Sequence, residues 1–233
     1  MTRDLVVHVP HASLHLPPER LSEFLISEDE LLAEATASAD LYTDRLAHEA
    51  WLDAQIIEAP VSRIIVDVER FEDDALEEMA ARGRGVIYTH SHAGERIRAD
   101  VPHEVRENLL ETYYRPHWQR LRSAARGAVL IDLHSYPESP WSVEGQHTAQ
   151  RPEIDLGFTD GLTSPSWIAS LSKHFEDQGY QVGHNTPYAG VIDAGASEAI
   201  MIEIRRDVLG MAGDRPGWRN LVEALKKMPL PRS

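Results

Sequence analysis

The chain has 233 residues, with 23 Lys and Arg against 38 Asp and Glu and a formal net charge of −15. That balance argues against a nucleic-acid backbone or an anionic membrane as a general partner, because both are bound chiefly through clustered Lys and Arg. There are no cysteines, which excludes disulfides and thiolate ligation, so any metal must be held by His, Asp or Glu.

The length suits one hydrophobic core, and no Gly/Ser-rich or Pro-rich linker divides the chain, so residues 1–233 read as a single domain. No run of apolar residues is long enough for a membrane span or a signal peptide, and a soluble cytoplasmic protein is expected.

In chain order, Leu5 to Val9 reads as a strand that runs into His8-Val9-Pro10-His11-Ala12-Ser13-Leu14-His15, three imidazoles in eight residues at a strand exit. The spacing of His8 and His11 suits metal ligands; with 12 histidines in the chain, a set of surface or locally capped side chains reads equally well. A helix opens at Ser27-Glu28-Asp29-Glu30, a capping box, and is expected to continue past Asp40 toward Trp51. Aspartate is a poor helix former, so Asp40 is kept there for a metal or for a histidine behind one, or is a solvated residue on an exposed face, the commoner case.

Ile56 to Glu58 and Arg63 to Val68 read as strands. Alternation along the second puts Arg63, Asp67 and Glu69 on one face and Arg70 on the other. The planar fork of arginine suits a carboxylate or a polarised carbonyl; a structural Arg–Asp pair at a strand end is the alternative. Gly83, Gly85 and Gly94 around Tyr88-Thr89-His90-Ser91-His92 indicate a flap or a plain surface hairpin. A helix is expected over Glu104 to Arg126, kinked or split by Pro116.

Ala128 to Leu133 is an apolar strand that ends in His134-Ser135-Tyr136 and so delivers an imidazole to a sheet edge. A helix follows from Thr163-Ser164-Pro165 to Gly179, then strands at Tyr180 to Val182 and Ala199 to Ile204, and a last helix from Asp214 to Met228. Glu203 lies among Ile200, Met201, Ile202 and Ile204; desolvation there raises a carboxyl pKa, which suits a general base, and pairing with Arg205 on the same face is the structural alternative. Strands alternating with helices imply an α/β sandwich with a largely parallel or mixed sheet, whose chemistry gathers at the carboxyl ends of the strands.

Several short pieces follow one another in order over residues 10 to 207. They are Pro10-His11-Ala12-Ser13 with Leu16-Pro17, Ala39-Asp40, Ser62-Arg63 through Asp67 to Arg70, and Gly85-Val86-Ile87-Tyr88-Thr89. Leu133-His134-Ser135, Leu156-Gly157, Asn185 with Pro187-Tyr188 and Gly190, and Glu203-Ile204-Arg205 with Asp207 complete the set. The set resembles the N-formylglutamate amidohydrolases, which look like distant relatives of the zinc carboxypeptidases and aspartoacylases.

The resemblance implies a single-domain three-layer α/β sandwich with a mixed central sheet, zinc-carboxypeptidase-like (phosphorylase/hydrolase-like), and one Zn2+ per chain. It also implies hydrolysis of the amide of N-formylglutamate, or of a similar small anionic N-acyl amino acid, to formate or another acid and the free amino acid. His11 and His134 are then metal ligands, Glu203 is the base, Arg63 polarises the scissile carbonyl and Arg70 binds the substrate carboxylate.

The carboxypeptidase relatives draw a second ligand from His-x-x-Glu, but position 14 is leucine here. Asp40 is the expected substitute, with His8 and His15 in reserve. Ser135, Asn185 and Tyr188 are expected to line the substrate site. Glu69 stands where the relatives carry asparagine and would repel an anionic substrate unless paired. A metallocarboxypeptidase or aminoacylase acting on another N-acyl group or a small peptide, and a metal-free ligand-binding protein that keeps the sheet and the arginines, are the alternatives.

Overall fold

Strands β1 (Leu5–Val9), β2 (Gln55–Glu58), β3 (Val129–Tyr136), β4 (Ile154–Gly157), β5 (Val182–His184) and β6 (Glu198–Arg205) form one sheet in the order β2-β1-β3-β6-β4-β5. The computed structural model describes residues 4–142, 151–209 and 216–231. Pairing is parallel except between β4 and β6, which run antiparallel, so the sheet is mixed as expected. Helices α1 (Glu28–Ser38), α2 (Thr43–Ala50), α3 (His103–Leu109), α4 (Arg115–Ala125), α5 (Pro165–Asp177), α6 (Arg206–Leu209) and α7 (Pro216–Lys226) complete the architecture.

Side-chain alternation divides each central strand between two layers. Val7, Ile131, Leu133, Ile200 and Ile202 pack on one face against Leu46 of α2, Trp167 and Phe175 of α5, and Trp218 and Leu225 of α7. Val6, Leu130 and Ala199 pack on the other against Leu121 and Ala125 of α4. The α4 layer also receives His8, Asp132, His134 and Glu203, which occupy the polar positions of the same alternation.

The Ser27 capping box forms as the sequence requires, with both reciprocal bonds present. The helix it starts does not reach Trp51. It ends at Ser38, Ala39 is extended, Tyr42 is left-handed at φ 69°, and α2 starts separately at Thr43. The break removes Asp40 from any helix and turns it inward.

Arg63 to Val68 is not a strand. The segment is a series of turns, with the Ile65 and Val66 amides both bonded to the Ser62 carbonyl. Val61, Ile64, Ile65 and Val66 are buried at 0–1% exposure because a second core, with Leu31 and Ala35 of α1, Val86, Tyr88 and Leu109, closes round them. Burial at ~1.5–3 kcal/mol per aliphatic side chain accounts for the apolar run without any ladder.

The helix around Pro116 runs as consecutive α, π and α turns from His103 to Ala125. A π turn over Leu110–Tyr114 joins α3 to α4, and the Arg115 amide reaches back to the Leu110 carbonyl, so the proline enters at the second position of a new register. Strand β4 was not expected, and β5 lies two residues later than the sequence indicated. The expected start of the last helix at Asp214 lies outside the described residues. In the glycine-rich segment Val86, Ile87 and Tyr88 are buried, and bridges Arg84–Tyr88 and His90–Arg96 hold it as a packed hairpin.

Candidate active site

His8 pairs in register with Asp132, and His134 with Glu203, so the exits of β1, β3 and β6 place these side chains on one side of the sheet. His11 follows β1 directly, and the Asp40 amide donates to its carbonyl at 2.9 Å, which pins the corner between α1 and α2 to the strand exit. Arg206 fixes the same corner, donating to the Ala39 carbonyl at 2.6 Å. His11, Asp40, His134 and Glu203, all 2–6% exposed, share a cavity of about 1590 Å3 with the more open Arg70 and Tyr188.

The two imidazoles present their nitrogens in a definite sense. Asp40 Oδ2 lies 3.1 Å from His134 Nδ1 and 3.5 Å from His11 Nδ1. Ligand atoms about 2.0–2.1 Å from a tetrahedral zinc stand about 3.3 Å from one another, so these two separations match two edges of such a site. Among the described residues, His11 Nδ1 and Glu203 Oε2 are buried without a hydrogen-bond partner, so each is free to take one.

A second grouping uses the opposite nitrogens. Glu69 Oε1 lies 3.2 Å from His134 Nε2, and Glu69 Oε2 lies 3.6 Å from His11 Nε2. His11 Nε2, however, is already bonded to Asp67 Oδ1 at 2.8 Å. On His11 the Nδ1 atom, facing Asp40, is the nitrogen that Asp67 does not occupy, and Asp67 holds the ring from the Nε2 side, an arrangement carboxylates commonly adopt behind a ligating histidine.

Charge in this cavity is strongly coupled. Burial and the Arg63 guanidinium disfavour a charged His11, but Asp67 and Asp40 outweigh them and raise its pKa. Burial likewise opposes a charged His134, and Glu69, Asp132 and Asp40 reverse it, raising the pKa well above the ordinary imidazole value. Burial favours a neutral Asp40, yet the two imidazoles hold its carboxyl below the usual range. Glu203 goes the other way: burial pushes it up to about 8, against the pull of His134 and with help from Asp40, Glu69 and Asp155. A ligating imidazole must be neutral, so a divalent cation at this cluster would displace the protons that the neighbouring carboxylates favour on His11 and His134.

The model of the N-formylglutamate amidohydrolase family matches residues 3–209. The chain belongs to the N-formylglutamate amidohydrolase family. Among solved structures, the N-formylglutamate amidohydrolase of Ralstonia eutropha JMP134 is similar at 22% identity and a TM-score of 0.79, covering 97% of this chain and 91% of that one. A gene product of Agrobacterium tumefaciens is similar at 20% identity and a TM-score of 0.72, covering 97% and 88%. No curated protein matches.

The other residues singled out in this family member fall into three groups. Arg63 is buried, and its Nε and Nη2 engage Asp67 Oδ2 at 3.0 and 2.8 Å; the Tyr88 hydroxyl donates to the same oxygen at 2.6 Å. The pair is an i,i+4 turn contact, not a strand-face alignment. Arg70 donates to Glu77 at 3.3 Å, while its Nε, 3.7 Å from Asp67, makes no hydrogen bond. Ser135 and Tyr188 line the cavity, and the buried Ser135 hydroxyl has no hydrogen-bond partner among the described residues.

Asn185 does not line the cavity. It is left-handed at φ 52°, and its Oδ1 accepts from the Phe158 and Gly190 amides at 2.9 Å each, so it shapes the loop that carries Tyr188. His15 is exposed and apart from the cluster. Glu203 does not pair with Arg205, whose guanidinium goes to Asp207 at 2.7 Å.

Asp132 and His117 escaped the sequence reading. Asp132 sits two before His134, hence on the same strand face. His117 occupies the apolar stripe of α4 four residues before Leu121. Each was visible as a polar residue in an apolar row, but nothing local says what it meets.

Proposed function

We propose that this chain is a zinc-dependent amidohydrolase acting on N-formylglutamate or a similar N-acyl amino acid. The observation that carries the reading is the convergence of His11 Nδ1 and His134 Nδ1 on one Asp40 oxygen, beside a buried Glu203 whose Oε2 has no hydrogen-bond partner among the described residues. His11, Asp40 and His134 are the ligands. When bound, the metal supplies Lewis acidity that polarises the amide carbonyl and acidifies water.

Glu203 takes the proton of the attacking water and returns it to the leaving nitrogen, a role its raised pKa suits, because a carboxyl near neutrality both accepts and releases a proton. Asp67 occupies Nε and Nη2 of Arg63, which leaves Nη1 outside that pair to meet the developing oxyanion. Arg70 holds the substrate α-carboxylate, with Tyr188 and Ser135 along the bound molecule. The Glu69 carboxylate is met by His134 Nε2 at 3.2 Å and does not stand free against an anionic substrate.

The test is formate release from N-formylglutamate by protein stripped with a chelator and reloaded with zinc, measured beside N-acetylglutamate and a dipeptide. Formate release that returns with about one zinc per chain supports this reading. Hydrolysis confined to the dipeptide favours a carboxypeptidase, and ligand binding without zinc uptake or turnover favours a binding protein.

A further inference from the structure

The cavity, at about 1590 Å3, is larger than one N-acyl amino acid fills. Sites for drug-sized molecules, themselves bigger than such an amino acid, run about 300–1,000 Å3. The surplus includes a wall along α4, made of Trp118, Gln119, Arg122, Ser123 and Arg126. That wall starts beside the segment that carries Arg70: the Tyr114 hydroxyl donates to the Arg70 carbonyl at 2.9 Å, and Trp118 Nε1 donates to the Val68 carbonyl at 2.8 Å. Val191 and Ile192, which also line the cavity, pack on the same core cluster as Trp118.

The polar groups of this wall are not used within the fold. Among the described residues, the side chains of Gln119, Arg122, Ser123 and Arg126 make no hydrogen bond and no ion pair. The Arg122 guanidinium lies 4.9 Å from the centroid of the Trp118 ring, a contact that holds it against the wall. Arg115, earlier on the helix, is by contrast taken up by Glu72, Glu107 and Glu111. Asp193, the acid next to Ile192 in the lining, accepts from the Gly195 amide at 3.0 Å and pairs with neither arginine. Two like charges four positions apart repel. The helix dipole favours a cation in the last turn of α4 but leaves that mutual repulsion standing, and an anion lying across both arginines removes it.

We infer that this wall is an anion subsite for a leaving group longer than one amino acid: an N-acyl acidic peptide whose further carboxylates run on from Arg70 to Arg122 and Arg126. This deepens the hydrolase reading above and rests on it. From Trp118 to Arg126 the helix advances about 12 Å, which matches about three or four extended residues at ~3.3–3.6 Å each. The protein as a whole, at −15, repels such a chain, so the attraction has to be supplied locally by this wall.

The experiment measures formate release by the zinc-loaded full chain from three compounds. They are N-formylglutamate, the same molecule extended through its side-chain carboxyl by two glutamates, which leaves the α-carboxylate for Arg70, and a control extended by two glutamines with an amidated end. The expected result is a kcat/KM about 5-fold or more higher on the acidic peptide than on N-formylglutamate, carried by KM and fading with added salt. The glutamine peptide should show no such gain, and Arg122→Gln with Arg126→Gln should remove it from the acidic one. Equal values for the acidic and glutamine peptides in wild type, or a gain that survives the double substitution, overturn the subsite. Calorimetric titration with the acidic peptide lacking its formyl group, beside free glutamate, separates the two readings. Tighter, arginine-dependent binding of the peptide without formate release from any compound overturns the hydrolase and keeps the subsite; formate release with peptide and glutamate bound equally overturns the subsite alone.

Discussion

His134 and Glu203 stand side by side at one register position of the parallel strands β3 and β6. The proposed ligand and the proposed proton acceptor are thereby held by the sheet ladder, not by loops. Glu203→Gln keeps the shape and removes the basic oxygen. Turnover should fall by about 10²–10⁴-fold while zinc content stays unchanged; loss of zinc in this variant would mean that Glu203 is a ligand.

Asp40 and Glu69 compete for the role of third ligand, and they separate cleanly. Asp40→Ala should abolish tight zinc binding, because it removes the oxygen between the two Nδ1 atoms. Glu69→Gln keeps a hydrogen-bond acceptor for His134 Nε2 and should retain about one zinc per chain. The reverse pattern by elemental analysis would place the metal on the Nε2 side.

Asp155 faces Glu203 from the antiparallel strand β4. Burial pushes its carboxyl up to about 7, against the backbone amides of Thr186 and Leu156. A carboxyl raised above its unfolded value of about 3.9 binds its proton more tightly when folded. Its contribution is full below that value and is lost as the pH climbs through about 7. Asp155→Asn should therefore raise the Tm at mildly alkaline pH and leave it unchanged in acid below the unfolded value, and thermal melts at the two conditions check the sign.

Gly157 ends β4 where the cavity loop returns. A Cβ there would lie 2.5 Å from the Gly190 carbonyl and 2.3 Å from Met201 Cε. The methionine tip can move, but the carbonyl belongs to a left-handed glycine at φ 90° and cannot yield without shifting the loop that carries Tyr188. Gly157→Ala should cost ~1–3 kcal/mol in urea unfolding and raise KM; an unchanged KM would detach Tyr188 from substrate binding.

Elements governed by local rules were legible in the residues themselves. The apolar runs of β1, β3 and β6, the Ser27 capping box, and α5 between its first-turn Pro165 and Gly179 all match, because capping, φ restriction and strand patterning act over a few residues. The Arg63 to Val68 run misled for the same reason: consecutive β-branched residues report burial, and burial here comes from α1, Val86 and Tyr88, far away in the chain. His11, Asp40, His134 and Glu203 could be named from a family pattern, but the pattern is silent on which nitrogen each imidazole offers. That depends on contacts such as Asp67 with His11, Asp132 with His8 and His117 with His8, made across 56, 124 and 109 positions. Sequence by itself determined the central strands β1, β3 and β6, the Ser27 cap and the buried rows; only packing decided which polar atoms meet, because hydrogen-bond geometry depends on the approach of α4 and the turn after β2 to the sheet, and no local propensity encodes that distance.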